Sequence, residues 1–248
     1  SLTGNNQALL VVDGTPMPLG FINSINPNDV KSVNVLKGAN AAALYGPEGV
    51  NGVIVVSTKK GGEGAKPQIT IGNTTMFEQV SFMPKFQELF GSGSSTNSFG
   101  VGNYDPLENQ SYGPEFDGSL VPIGEETEDG QIQEIPYTFL KDEKYKFWDI
   151  GSNIQSDVSV NAGDDKSNFF FSVQNVGIKG TMPMDEANRT TIRLNAGKTL
   201  GIFNAGLNFG YAQDNRDVTT EGANVYWDVF NAPNHIPLTR YKDFQNDY

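Results

Sequence analysis

Residues 202–212 read IFNAGLNFGYA, a stretch in which Phe203, Ala205, Leu207, Phe209 and Tyr211 alternate with Asn204, Gly206, Asn208 and Gly210. Successive side chains on an extended backbone point to opposite sides, so this segment predicts a strand with one apolar face and one face of small polar residues. Gly and Asn on that second face suit a wet or plugged lumen better than a dry core. Other stretches repeat the pattern. Ile154, Ser156, Val158, Val160 and Ala162 alternate with Gln155, Asp157, Ser159 and Asn161, and Phe169, Phe171 and Val173 with Phe170, Ser172 and Gln174. Thr190, Ile192, Leu194 and Ala196 face away from Arg193, Asn195 and Gly197. Strands are expected at 69–77, 153–162, 168–176, 189–198 and 202–212. Each lasts about ten residues, the length that crosses a bilayer at a tilt.

Alternation alone would also fit a soluble β-rich binding domain such as a sandwich, and the connection lengths weigh toward a barrel. Gly163 to Ser167 and Thr199-Leu200-Gly201 are short, whereas residues 78–152 and 177–188 form longer links. Outer-membrane barrels alternate short periplasmic turns with longer external loops in this way. Phe169, Phe171 and Phe203 fall near the short turns and Phe77 and Tyr211 near the long loops, as two aromatic girdles would.

Upstream, residues 1–62 are mixed in character and poor in aromatics. Leu9 to Val12 is a short apolar run ended by the turn signal Asp13-Gly14, which predicts a buried strand. Asn26-Pro27-Asn28-Asp29 predicts the opening of a short helix. Val33 and Val35 sit in a strand that stops at Gly38, Asn40 is placed to cap a helical turn over Ala41 to Tyr45, and Gly46 ends that turn. Asn51-Gly52 favours a type I′ turn leading into a central strand, Val53 to Thr58. Lys59-Lys60 with Gly61, Gly62 and Gly64 mark a boundary, so the expected division is 1–62 and 63–248.

The formal charge of the 248 residues is −12, which disfavours a nucleic-acid partner. There is no cysteine, hence neither a disulfide nor a thiolate metal site. No apolar run is long enough for a transmembrane helix, a limit that does not apply to barrel strands. The start, Ser1-Leu2-Thr3-Gly4, has no leader pattern, so a signal peptide is expected to be missing or removed.

The series LLVVDGTPMP and INPNDVKSVNVLKGANAAALYGPEGVNGVIVVSTKKG resembles the plug signature of SusC/RagA-type TonB-dependent transporters of Bacteroidetes. The matching positions include Asp13, Gly14, Asn26, Pro27, Gly38, Tyr45, Gly46, Gly49, Asn51 and Gly52. Ser111-Tyr112-Gly113-Pro114 with Asp117-Gly118 is similar to a later family segment, with Tyr112 where Trp is usual, and Gly163 to Gly180 followed by Arg189-Thr190-Thr191 resembles the early barrel hairpins. The resemblance implies a mostly β chain: the distal part of an α+β plug at 1–62, then at 63–248 the first strands of an antiparallel transmembrane β-barrel with a long extracellular first loop. That barrel would have about 22 strands, the size class with a blocked lumen. Five strands cannot close it, so the sequence reads as part of a longer polypeptide.

The resemblance further implies an outer-membrane location in a Gram-negative bacterium and import of an oligosaccharide or peptide. Its expected partners are TonB and a SusD-like surface lipoprotein, with no cofactor and no resident metal. A non-transporting outer-membrane receptor or structural protein is the alternative. Nothing assembles an active site. His235 lies between Pro233 and Pro237 and is read as a loop residue. Glu125, Glu126, Glu128 and Asp129 are a solvated acidic loop or a source of calcium ligands. Gly46 to Gly52 lacks the Lys and Ser/Thr of a phosphate-binding loop. Tyr104, Tyr112, Phe116, Tyr137 and Phe139 are candidate substrate contacts, or else pack the first loop against itself.

Overall fold

The computed structural model describes residues 7–62, 66–124, 126, 130–220 and 222–242. Gly64, Glu125, Glu128 and Asp129, and with them most of the acidic run and part of the expected boundary, lie outside the described residues, as does the Ser1 to Gly4 start. The chain forms two compact units that each draw on several segments: residues 1–76, 152–178 and 186–216 in the first, and 77–151, 179–185 and 217–248 in the second.

The first unit holds two sheets. The smaller is built from β1 (Leu9–Val12), β2 (Thr15–Met17), β3 (Val30–Leu36) and β4 (Val53–Thr58), with α1 (Gly38–Tyr45) between β3 and β4. Its order is β2-β1-β4-β3, with β1 and β4 parallel and β4 antiparallel to β3. The β-branched run Val53 to Thr58 is therefore central, as its composition predicts. Leu10, Val12, Ile25 and Val56 pack on one face and Val11, Ala41 and Val53 on the other.

Two local expectations are corrected. The type I′ turn is at Asp13-Gly14, where φ is 49° and 86° and Val12 pairs with Thr15 across a two-residue loop. Asn51-Gly52 instead follows a 3-10 turn at Gly46–Gly49, and only Gly52 has positive φ, 96°, because α1 and that turn separate β3 from β4 and no tight hairpin is needed. Likewise Lys37, not Asn40, occupies the cap of α1, which starts at Gly38, so Asn40 falls inside the first turn. The expected opening at Asn26 is found: its side chain accepts from the Asn28 backbone N–H at 2.9 Å and Pro27 begins a 3-10 turn.

The larger sheet contains β5 (Gln68–Glu78), β8 (Gly151–Gly163), β9 (Ser167–Lys179), β10 (Glu186–Leu200) and β11 (Phe203–Asp217), in the order β11-β10-β9-β8-β5. All five are antiparallel and run a few residues longer than the sequence indicated. Between β5 and β8 the second unit adds β6 (Leu120–Ile123) paired with β7 (Gln133–Pro136), and the short helix α2 (Glu143–Lys146). It is completed by α3 (Gly222–Asn231).

The sheet faces differ as parity requires. Ile69, Ile71, Ile154, Val158, Leu207 and Phe209 are exposed on one side, while Ser172, Gln174, Thr191, Arg193 and Asn195 are buried on the other. A Cβ on Gly210 would lie 3.6 Å from Arg193, which places the even-numbered residues of β11 on the polar face with Arg193.

Candidate functional site

The polar face of the larger sheet is covered by the smaller one, and the contacts are side-chain hydrogen bonds. Asp13 sits at their centre. The I′ turn aims its carboxylate across β1 to the end of β4, where it accepts from the Thr58 backbone N–H at 2.8 Å and the Thr58 hydroxyl at 2.6 Å. Arg193 of β10 donates Nη1 to the same carboxylate at 3.1 Å, and the two side chains are 11% and 5% exposed. Asn195, one step further along the polar face, donates to the Thr58 hydroxyl at 2.8 Å and to the Lys59 carbonyl at 2.7 Å.

A second cluster surrounds the Asn26–Asp29 turn. The Ser172 hydroxyl donates to Asp29 at 2.6 Å, Gln174 donates to the Asn26 side chain at 2.8 Å, and Asn28 donates to Asp157 at 3.1 Å. Asp29 itself is 3% exposed. Burial raises its carboxyl above the ordinary carboxylate value, although the Ser172 hydrogen bond and the charges of Arg193 and Lys59 pull the other way. At the margins Asn161 accepts from the Gly62 N–H at 2.9 Å, and Arg189 donates to the Asn23 carbonyl.

The strength of this interface lies mainly in number, since each neutral hydrogen bond adds only about 0.5–1.5 kcal/mol over the same groups in water and those to Asp13, Asp29 and Arg193 about 1.5–3 kcal/mol. It is also incompletely matched: Gln174 Oε1, Thr191 Oγ1 and Asn195 Oδ1 are buried without a partner. Polar groups on both sides can take up water if the two sheets part, which an apolar interface cannot offer.

Among the signature positions, Asp13 and Asn26 thus meet the strand residues directly, while Gly14 completes the turn and Pro27 follows the cap. Gly38 opens α1 and Gly46 closes it at a φ of 63°. Tyr45 packs on the Val11–Val53 cluster, and Gly49 lies so close to α1 that a Cβ would come within 2.6 Å of the Ala41 carbonyl oxygen. Asn51 and Gly52 lead into β4, and a Cβ on Gly52 would meet the Leu36 carbonyl at 3.2 Å. The strand-side partners Arg193, Asn195, Ser172 and Gln174 were legible only as members of the polar parity set.

The second unit has a different interior. Tyr137 is 1% exposed, donates its hydroxyl to the Pro114 carbonyl at 2.8 Å and accepts from the Gly91 N–H at 3.0 Å. Tyr104, Phe116 and His235 pack on its ring, with centroids 5.3, 4.9 and 5.1 Å away. Three of the candidate aromatics are therefore brought together and fill a core. Tyr112 stays exposed, and Phe139 is half-buried beside a cavity. His235 is wholly buried, its Nδ1 has no partner, and burial lowers its pKa to about 4. Its place is structural, in a loop segment, as its flanking prolines suggest.

Comparison with known proteins agrees with this geometry. Residues 2–53 match the TonB-dependent receptor plug domain family. TonB-dependent receptor P26 of Formosa agariphila is 43% identical over 88 residues, and TonB-dependent receptor SusC of Bacteroides thetaiotaomicron 36% identical over 87. Each of these alignments takes in about a third of this chain and 9% of the relative. TonB-dependent receptor P39 of Formosa agariphila aligns over 98% of the chain at 26% identity, covering 21% of its own length. Among solved structures, the RagAB peptide importer in its closed-closed state superposes with a TM-score of 0.63 at 21% identity, over 87% of this chain and 25% of that one. The sequence thus spans a small part of the proteins it matches.

Proposed function

We propose that the chain carries the plug and adjoining strands of a TonB-dependent receptor of SusC/RagA type, a family of outer-membrane transporters and not of enzymes, and that the protein it belongs to imports a bulky nutrient under TonB drive. The cargo is an oligosaccharide or a peptide, the second supported by the fold-level likeness to the RagAB peptide importer. A SusD-like surface lipoprotein acts as its lid. Residues 1–62 are the distal plug, and 63–248 begin the barrel with its external loops.

The observation that carries the reading is the hydrogen-bonded seam from Asp13, Thr58, Asn26 and Asp29 to Arg193, Asn195, Gln174 and Ser172. A plug that must leave and return needs contacts that water can replace, and this seam consists of them. The candidate positions act in two groups: the signature residues hold the closed gate, and Tyr112 and Phe139, the two candidate aromatics outside the packed core, are the ones left to meet cargo.

The test is uptake of fluorescent oligosaccharides and peptides by cells with and without the gene, each with and without an uncoupler of the proton gradient. Gene-dependent uptake abolished by the uncoupler is expected. Binding at the surface with no gene-dependent uptake would refute import and leave a non-transporting receptor.

A further inference from the structure

The second unit holds an open cavity of about 360 Å3, lined by residues 83–86, 88 and 139–145 and by Asn234. Its walls are tied together. The Tyr145 hydroxyl accepts from the Met83 N–H at 2.9 Å, Asn234 donates to the Gln87 carbonyl at 2.7 Å, and the Leu140 N–H donates to the Asn234 carbonyl at 2.8 Å. The shape is therefore set before any ligand arrives, which is the usual condition of a binding pocket.

One lining residue is a buried cation. Lys144 is 7% exposed, donates to the Phe230 carbonyl at 2.7 Å, and holds its ammonium 3.9 Å from the centre of the Phe86 ring. Among the described residues no carboxylate pairs with it. The adjacent Glu143 is committed elsewhere, accepting from the backbone N–H and the hydroxyl of Thr239 at 2.8 and 2.5 Å. Burial lowers the Lys144 pKa to about 8, so the charge persists at neutral pH against its surroundings. A carbonyl and a ring are poor compensation for a desolvated ammonium, which ordinarily takes an anionic partner. Lys85 and Lys141 add positive charge at the rim, against Glu88 and Asp142.

We propose that this cavity is a carboxylate-binding subsite, in which Lys144 anchors the anionic group of a ligand and Phe86 and Phe139 seat the chain that carries it. That the ligand is cargo rests on the import reading above; that it binds here does not. Peptides and uronic-acid sugars both present such a group.

The probes are a hexapeptide of glutamates, its glutamine counterpart, hexagalacturonate and neutral maltohexaose, offered to the intact transporter in detergent. In the wild type, acylation of Lys144 at pH 8, followed by mass spectrometry with Lys85 and Lys141 as internal references, is expected to slow at least tenfold with one or both charged probes and with neither neutral one. The charged probe that protects identifies the source of the carboxylate. Lys144→Met is expected to weaken that probe's affinity at least tenfold. Protection that is absent, or equal for charged and neutral probes, overturns the subsite, as does unchanged affinity in a Lys144→Met protein that melts like the wild type. If that variant does not assemble, the wild-type acylation decides alone. Lys144 protection without uptake would refute import and keep the subsite, whereas uptake without protection would do the reverse.

Discussion

The seam between plug and strands and the aromatic core around Tyr137 bury comparable kinds of backbone with opposite chemistry. In the seam, Asp13, Asn26, Asp29, Arg193, Asn195, Ser172 and Gln174 meet through side-chain hydrogen bonds. In the core, Tyr104, Phe116, Tyr137 and His235 meet ring to ring beside Val121, Ile123 and Ile135. Apolar surface is costly to expose and polar surface is not, so the first arrangement suits parts that separate and the second suits parts that stay. Under the proposed import, the first region is the one that moves and the second the one that stays.

The largest effect tests permanence. Tyr137→Ala empties the centre of the aromatic core and is expected to cost about 3–5 kcal/mol. Hydrogen exchange should rise at Gly91 and Phe116 while β8 to β10 stay protected. Equal loss of protection in β8 to β10 would show that the two regions do not differ as described.

Next is the seam. Arg193→Met leaves the buried Asp13 carboxylate with Thr58 alone, at a cost of roughly 3 kcal/mol for an ion pair broken from one side. A spin label at position 15, exposed at the start of β2, should become mobile at lower urea. Asp13→Asn added to Arg193→Met is expected to recover more than half of that shift, since it removes the stranded charge; additive losses would mean the pair is not coupled.

Third, the outward face of β11 is read as lipid-facing. Leu207→Arg should impair barrel assembly by about 2–4 kcal/mol near the bilayer midplane, and Asn208→Arg, on the Gly210 side, far less. Cysteine at 207 should react with a lipid-soluble probe in intact membranes; protection from both lipid- and water-soluble probes would place it in a protein core.

The smallest effect near neutrality is the titration of His235. Its folded pKa, about 4, lies below the ordinary 6.5, so the unfolded chain takes up a proton that the folded one refuses. The stability this neutral ring contributes is complete above about pH 6.5 and is lost progressively as pH falls through 4. Denaturant unfolding of the second unit should therefore weaken across that window, and His235→Phe should flatten the slope. A wild-type slope that survives in His235→Phe would assign the effect to another group.

Parity was legible in the sequence because it depends only on the period of two, and it separated Arg193 and Asn195 from Ile192 and Leu194 without coordinates. The pairing of Arg193 with Asp13 was not legible, since it depends on the register between segments 180 residues apart in the chain. Asn51-Gly52 has the composition of a I′ turn, yet α1 intervenes between β3 and β4 and the hairpin geometry went to Asp13-Gly14, equally suited to it. The strands β6 and β7 are four residues each, too short for alternation to register. The helix α3 left a usable signal, Tyr226, Val229 and Phe230 at helical spacing, hidden among the loop residues that follow β11. The packing of Tyr104 and Phe116 around Tyr137 was not legible either, since its fourth ring, His235, is 98 residues beyond Tyr137 in the chain.

The parallel pairing of β1 with β4 has a mechanical consequence. Their register runs Leu9 to Val53 through Val12 to Val56, and the far end of β4 is held to β10 where Asn195 grips Thr58 and Lys59. A pull entering ahead of Leu9 and resisted beyond Thr58 tugs two parallel neighbours from opposite ends, so their ladder is loaded in shear and its bonds share the strain together. The β1–β2 hairpin, joined at Asp13-Gly14, would instead peel one bond at a time. Under the proposed import, a pull so applied passes through β1 to the Asp13–Arg193 contact before the smaller sheet gives way.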